Sequence, residues 1–341
     1  VHTESAFRPA RRKLLAVGAA AAVAAVAIGV TATGGASARP VAHASKSYTI
    51  ALVPGLTVDP FYITMHNGAA AEAKKLGVKL IWQGATTFNP STQIPVLNTL
   101  LAEHPDALLI APTDVKALQA PIQKFVNAGI PVIAVDTTIN DTALLKARIT
   151  SDNAQGGAAA ADAIAKAAHD KGEVAVDNVA PGISTTDLRT SGFINEIKKY
   201  PNMKVVATEY NNDSATTAET QVKDLLLAHP NLVGVFATNL YGAQGAGEAI
   251  KAAGKAGKVY VAAYDAEPAT VKLLQSGAIN ILVVQQPAVE GMDGVQYAYD
   301  VLTGKTSMVP KSTLVPNVIA TTANSHSPSV TKYYYQSSLK G

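Results

Sequence analysis

The sequence predicts an α/β protein of two similar doubly wound, parallel-sheet lobes joined by a hinge that the chain crosses more than once. Two observations carry this expectation. The first is an internal echo. His104-Pro105-Asp106-Ala107-Leu108-Leu109-Ile110-Ala111-Pro112-Thr113-Asp114 returns as His229-Pro230-Asn231-Leu232-Val233-Gly234-Val235-Phe236-Ala237-Thr238-Asn239. A second pair follows in the same order, Ala128-Gly129-Ile130-Pro131-Val132-Ile133-Ala134-Val135-Asp136 and Ala256-Gly257-Lys258-Val259-Tyr260-Val261-Ala262-Ala263-Tyr264-Asp265. Each block reads as a helix end, a turn, a buried strand and a polar residue where the strand stops, at a spacing too long for a solenoid. The second observation is the alternation of short apolar runs with helical stretches, the pattern of a parallel sheet covered on both faces.

The elements follow in order. Residues 1–44 form a leader: Arg11-Arg12-Lys13 is a basic start, 14–30 an uncharged Ala/Val-rich run, and Ala36-Ser37-Ala38 and Ala42-His43-Ala44 are small-x-small cleavage sites. The Arg pair before Lys-Leu-Leu resembles a twin-arginine signal, and the competing reading is an uncleaved membrane anchor. With no cysteine in the chain, disulfides, thiolate metal sites and a lipid-modified cysteine are excluded. The expectation is an exported protein in the periplasm or cell-envelope space, not lipid-anchored through cysteine, beginning near Arg39 or Ser45.

Strands are expected over 48–53, 78–81, 107–110 and 132–135, with a short extended stretch at 147–150. A helix over 61–76 has Pro60 at its start, Lys74 and Lys75 in its last turn and Gly77 behind it. Ser151-Asp152-Asn153 reads as a hinge crossing. The second strand set falls at 173–179, 204–210, 232–236, 260–263 and 281–284, with Gly254 and Gly277 closing helices. Gln285-Gln286-Pro287 opens another helix, 289–302, which is expected to return to the first lobe. The division is thus 45–150 with 286–314 for the N-terminal lobe and 151–285 with 315–341 for the C-terminal lobe. The Tyr333-Tyr334-Tyr335 end is left open between packing on a lobe and projecting free.

The formal charge of +3 is misleading, because the leader carries a net +4 and leaves −1 for the rest. No basic face remains for nucleic acid. In open parallel sheets ligands bind beyond the carboxyl ends of strands. That rule selects Asp59, Phe61 and Tyr62, then Thr113 and Asp114, then Asp136 and Thr137. In the second lobe it selects 185–189, with Asp187 and Arg189, then Asn212 and Asp213, Asn239 and Tyr241, Asp265 and Gln285. Carboxylates and amides with a few aromatics suit a small polar molecule. A single Asp or Asn at a strand end serves turn or cap chemistry equally well, and Thr113-Asp114 reads as a helix cap.

Catalytic patterns are poorly represented. None of the seven histidines pairs at metal-ligand spacing; His104 and His229 sit at equivalent helix ends, where capping explains both. Gly182-Ile183-Ser184-Thr185-Thr186 lacks the last glycine of a nucleophile elbow. Gly242-Ala243-Gln244-Gly245-Ala246-Gly247 lies within an expected helix, where close packing explains the glycines. A glycosidase carboxylate pair depends on a separation that sequence does not supply. No cofactor is implied.

At these residues the chain resembles the ribose-binding-like, type I periplasmic sugar-binding proteins, the solute-binding components of ABC importers. The motifs are Asp59-Pro60-Phe61-Tyr62, Ala111-Pro112-Thr113-Asp114, Ile130-Pro131-Val132-Ile133 leading to Asp136, Ser151-Asp152-Asn153 with Gly156-Gly157, Phe236-Ala237-Thr238-Asn239, Tyr264-Asp265 and Gln285-Gln286-Pro287. The resemblance implies a ligand held between Phe61 and Tyr62 and the polar groups of Asp136, Asn239, Asp265 and Gln285. The chain departs from that pattern too. Asp59 and Ala111 replace asparagines, Thr137 and Asp187 replace arginines, and Asp213 replaces an aromatic, leaving Arg189 as the scaffold arginine. With both ligand arginines gone and acids added, a sugar alcohol, an uncommon sugar or an amine-bearing ligand fits better than ribose. The family also includes sugar-responsive repressors, but the leader stands where their helix-turn-helix would be. The expected protein is a monomeric, non-enzymatic receptor that closes over a sugar or polyol and presents it to a membrane permease. An exported carbohydrate-active enzyme is the alternative.

Overall fold

The computed structural model describes residues 47–340; the leader and its cleavage sites lie outside the described residues. Twelve strands and ten α-helices alternate through it. Lobe one begins β1 (Thr49–Val53), α1 (Pro60–Leu76), β2 (Lys79–Trp82), α2 (Pro90–Glu103), β3 (Ala107–Ile110), α3 (Gln119–Asn127), β4 (Val132–Val135) and β5 (Ala147–Ser151). Lobe two follows with α4 (Asn153–Ala167), β6 (Lys171–Asn178), α5 (Ser184–Ile197), β7 (Asn202–Tyr210), α6 (Ala215–Ala228), β8 (Leu232–Ala237), α7 (Leu240–Ala252), β9 (Tyr260–Tyr264), α8 (Pro268–Gln275) and β10 (Ile281–Val284). Then come α9 (Pro287–Leu302), β11 (Ser312–Val315), β12 (Val318–Thr321) and α10 (Pro328–Thr331).

The two sheets run β11-β5-β4-β3-β1-β2 and β12-β10-β9-β8-β6-β7. Leaving aside the last-added strands, each lobe has the doubly wound order 2-1-3-4-5, so the echo in sequence is an echo in topology. β11 adds to β5 in parallel and β12 to β10 antiparallel. Neither edge strand is legible in the sequence, since each is four residues long beside Pro310 or Pro316. The chain passes between sheets at Ser151–Asn153, at Gln285–Pro287 and between β11 and β12. These crossings are stitched together: Asn317 Nδ2 donates to the Asp152 carbonyl and Gln286 Nε2 to the Pro316 carbonyl, each at 2.8 Å.

Strand β1 shows why the runs are apolar throughout. Ile50 and Leu52 face one core layer with α1 residues Met65 and Ala69, while Ala51 and Val53 face the other with Leu97, Leu100, Ile122 and Phe125. Side chains alternate across a strand, so a sheet covered twice needs apolar residues at every position. Helix α1 ends where Gly77 adopts φ 68°, a left-handed turn that glycine makes without a Cβ penalty. Its pairing with α9 is close: a Cβ on Gly68 would meet the Ala288 carbonyl, and one on Gly291 the Met65 carbonyl. Gly68→Ala is expected to lower unfolding stability by about 1–3 kcal/mol, the cost of overpacking a tight contact. Denaturant unfolding measures it, and an unchanged midpoint would show that the helices separate freely.

The lobes meet across the cleft. The Val115 N–H donates to the Gly182 carbonyl at 3.1 Å and the Thr138 N–H to Ser184 Oγ at 2.9 Å. The C-terminus also crosses. The expectation gave 315–341 wholly to lobe two, but beyond Tyr335 the chain bonds to α1 of lobe one, with the Gln336 N–H donating to Thr64 Oγ1 at 2.7 Å. Polar tail residues need hydrogen-bond partners, and α1 supplies Thr64 and Asn67 there. Among the described residues no helix is long and apolar enough to cross a membrane.

Candidate functional site

The strand ends of both lobes converge on one cavity. Lobe one contributes Leu56 and Asp59 after β1, Phe61 and Tyr62 at the start of α1, Phe88 after β2, and Asp136 and Thr137 after β4. Lobe two contributes Val179 and Ile183 after β6, Thr185, Thr186 and Arg189 on α5, Asp213 after β7, Asn239 and Leu240 after β8, Asp265 after β9 and Gln285 after β10.

Asp136 and Asp265 end the second echo of each lobe and adopt the same unusual backbone, φ 61° and 78°. Asp enters this left-handed region more readily than most residues. The turn is pinned alike in both: the Asp136 N–H donates to the Ile149 carbonyl at 2.8 Å and the Asp265 N–H to the Val283 carbonyl at 3.1 Å. Tyr62 Oη donates to Asp136 Oδ2 at 2.7 Å. Asp265 Oδ1 accepts from Gln285 Nε2 at 2.7 Å and from Tyr335 Oη at 2.8 Å. Asp59 has two roles, since Oδ1 also accepts from the Phe61 N–H at 2.7 Å and caps α1.

A polar network holds the lobe-two wall. Asn211 Nδ2 donates to Asp177 Oδ1 at 3.0 Å and to Asn239 Oδ1 at 3.3 Å, and Asn239 Nδ2 donates to Asp213 Oδ1 at 2.8 Å. Arg189 is almost fully engaged by protein: Nε donates to Asn153 Oδ1 at 2.7 Å, Nη1 to the Thr238 carbonyl at 2.8 Å and Nη2 to Gln285 Oε1 at 2.7 Å. Its guanidinium lies 3.8 Å from the centre of the Tyr264 ring. By contrast the hydroxyls of Thr137 and Thr186 are buried at the wall without a protein partner. Such groups are costly unless something satisfies them.

Asp187 is not brought to the cavity, in contrast to what the family pattern implies. Its Oδ2 accepts from the Gly182 N–H at 2.9 Å and its Oδ1 from Asn178 Nδ2 at 3.4 Å. The carboxylate closes the turn ahead of α5. Thr113 is likewise internal, bonded to Gln93, while Asp114 caps the turn at Lys116 and Ala117. Leu188, Asn212 and Tyr241 are also off the cavity wall, whereas Asp59, Phe61, Tyr62, Asp136, Thr137, Thr185, Thr186, Arg189, Asp213, Asn239, Asp265 and Gln285 line it. Phe88 is the notable omission from the sequence reading, although it follows a strand and the same rule could have found it. Leu56, Val179, Ile183 and Leu240 carry no polar signal and become apparent only in three dimensions.

Four carboxylates share this enclosed space with one cation, and their pKa values rise. Burial pushes Asp136 up to about 6, against the pull of Arg189 and Tyr62. Burial also raises Asp213 to about 6, with Asp265 adding repulsion. Asp59 rises well above the ordinary range through burial and then the charge of Asp265, and burial raises Asp265 despite Arg189. A carboxyl with a raised folded pKa contributes stability that is fully present below its unfolded value and lost as pH rises through the folded one. The ligand-free chain is therefore expected to melt at a lower temperature at pH 7 than at pH 5. Asp213→Asn should flatten that difference; calorimetric scans showing an equal slope in parent and variant would exclude Asp213 as a contributor. Among the described residues no group of three His, Asp or Glu side chains is placed to hold a metal ion.

The model of the family described as "periplasmic binding protein domain" matches residues 50–306. The chain is 32% identical over 260 residues to the ribose import binding protein of Bacillus subtilis, covering 76% of this chain and 83% of that protein. In structure it is similar to an ABC transporter solute binding protein from Agrobacterium vitis bound with alpha-D-tagatopyranose. The TM-score is 0.83 at 42% identity, over 85% of this chain and 100% of that one. A carbohydrate transporter solute binding protein from Agrobacterium radiobacter, in complex with D-arabinose, gives a TM-score of 0.81 at 34% identity, over 85% and 99%. Both solved structures are covered nearly end to end and the ribose import binding protein to 83%, by a chain whose paired strand ends already enclose one polar cavity between two equivalent lobes. The chain belongs to the periplasmic binding protein family.

Proposed function

We propose that this chain is the solute-binding component of an ABC importer and that it captures a small polyhydroxylated ligand, a sugar or sugar alcohol, between its lobes. One observation carries the reading: the cavity wall is made of hydrogen-bonding groups from both lobes, with carboxylates, amides and unpartnered threonine hydroxyls set among Phe61 and Phe88. Hydroxyls donate to carboxylates and accept from amides, and aromatic faces cover the C–H side of a sugar ring. Relatives that bind ribose, D-arabinose and tagatopyranose support the ligand class. Closure is favoured because such a ligand completes its contacts only when both lobes touch it. In this reading the lining residues selected from sequence are the ligand contacts. Residues 47–151 with 286–315 form one lobe, and 152–285 with 316–335 the other. The chain acts as an exported monomer, releases its ligand unchanged and delivers it to a membrane permease.

A second reading, an amine-bearing ligand, has one observation behind it: among the described residues Arg189 is the only cation at a wall with four aspartates. A thermal-shift screen separates the two. The panel is D-tagatose, D-arabinose, D-ribose, D-allose, D-fucose, D-glucitol and D-galactosamine, and any compound that binds only the folded form raises the melting temperature. At least one neutral sugar or polyol is expected to do so. A shift with galactosamine alone would favour the amine. Recovery of a bound compound in chemically altered form would overturn the receptor reading.

A further inference from the structure

We propose that the C-terminal segment 335–340 is a strap built into the binding machinery: Tyr335 is a positioning residue for Asp265, and the residues after it tie lobe two to α1 of lobe one. This rests on the reading that Asp265 meets a ligand. Tyr335 is 4% exposed and its backbone N–H donates to the Ala266 carbonyl at 2.9 Å, which anchors it beside the left-handed Asp265. Its hydroxyl donates to Asp265 Oδ1 at 2.8 Å and accepts from the Gln285 N–H at 3.3 Å. It thereby joins the carboxylate to a hinge crossing.

The arrangement repeats what lobe one does with Tyr62 and Asp136. Each lobe presents one left-handed aspartate, and each aspartate receives a tyrosine hydroxyl. The two tyrosine rings are linked through Phe61, edge-on to Tyr62 at 5.1 Å and to Tyr335 at 5.7 Å. Lobe one takes its tyrosine from its own first helix. Lobe two takes it from the end of the chain, which then continues onto lobe one. There the Gln336 N–H donates to Thr64 Oγ1 at 2.7 Å. Asn67 Nδ2 donates to Gln336 Oε1 at 2.7 Å and to the Ser338 carbonyl at 3.0 Å, and Asn67 Oδ1 accepts from the Lys340 N–H at 2.7 Å. A tail that only covered apolar surface would need neither the hydroxyl on Asp265 nor the saturated asparagine on α1.

Two variants of the full chain test this. Tyr335→Phe keeps the ring on Phe61 and removes only the hydroxyl; Asn67→Ala removes three of the strap's bonds to lobe one. The probes are D-tagatose, D-arabinose, D-fucose and D-allose, titrated by calorimetry between pH 5 and 8. Amide exchange at Val115 and Thr138, whose N–H groups donate across the cleft, is followed in the ligand-free protein. Tyr335→Phe is expected to weaken binding about tenfold, the loss of one hydrogen bond to a charged group. It should also move the acid limb of the binding profile to higher pH. Asp265 faces Arg189, Asp59, Asp136, Asp213 and the Tyr264 hydroxyl, all of them kept in this variant. A purely structural loss would leave that limb where it was. Asn67→Ala is expected to speed exchange at Val115 and Thr138 about tenfold while leaving α4 and α5 protected. Unchanged affinity and pH profile in Tyr335→Phe would overturn the positioning role, and unchanged exchange in Asn67→Ala would overturn the tie. If none of the four sugars and no compound of the wider screen binds the parent, the ligand reading has failed instead, and the exchange comparison still decides the strap.

Discussion

Arg189→Met is expected to destabilise the chain by about 3–5 kcal/mol, the range seen when one partner of a buried charge network is removed. The side chain is 3% exposed, so no solvent screens its contacts. Methionine fills a similar volume but leaves Asn153 Oδ1, the Thr238 carbonyl and Gln285 Oε1 without their donors. Those acceptors lie at two hinge crossings and at the end of β8, so the loss loosens the point where the lobes join. It also removes the cation that holds down the pKa values of Asp136 and Asp265. Urea unfolding of parent and variant measures the effect. A loss below about 1 kcal/mol, the worth of a single ordinary hydrogen bond, would show that the guanidinium is not the keystone of this wall.

The second large effect is on binding. Asp136→Asn and Asp265→Asn are each expected to weaken capture of the ligand found in the sugar screen by roughly ten- to a hundredfold, since a hydrogen bond to a charged group is worth about 1.5–3 kcal/mol. Asparagine is the informative replacement because it tolerates the left-handed backbone that both positions adopt. The fold should therefore survive, with melting temperatures close to the parent's. The two variants are expected to be similar in size, because the carboxylates occupy equivalent turns in equivalent lobes. If calorimetry finds both binding as tightly as the parent, the strand-end cavity is not where the ligand sits.

Much of this molecule was legible because parallel sheets impose a strong pattern. The apolar runs of β1, β3, β4, β8, β9 and β10 stand out since a strand buried on both faces allows no polar interruption. The repeat then placed Asp136 and Asp265, and the strand-end rule found most of the polar wall. What it missed follows from the same physics. β11 and β12 are short edge strands whose pairing supplies what their composition does not. Leu56, Val179, Ile183 and Leu240 join the wall only where the two lobes meet, and an aliphatic residue beside a strand end does not announce that role.

Asp187 and Tyr335 mark the boundary between the two kinds of information. By itself the sequence determined the two-lobed α/β architecture, the family and the polar character of the cleft, because periodicity, caps and turn residues act over a few positions and are written locally. Only the tertiary structure decided that Asp187 turns back onto the Gly182 amide while Tyr335 reaches Asp265, seventy positions away. A carboxylate takes whichever donors the folded chain brings within about 3 Å, and that choice depends on distances between segments that the linear order does not contain.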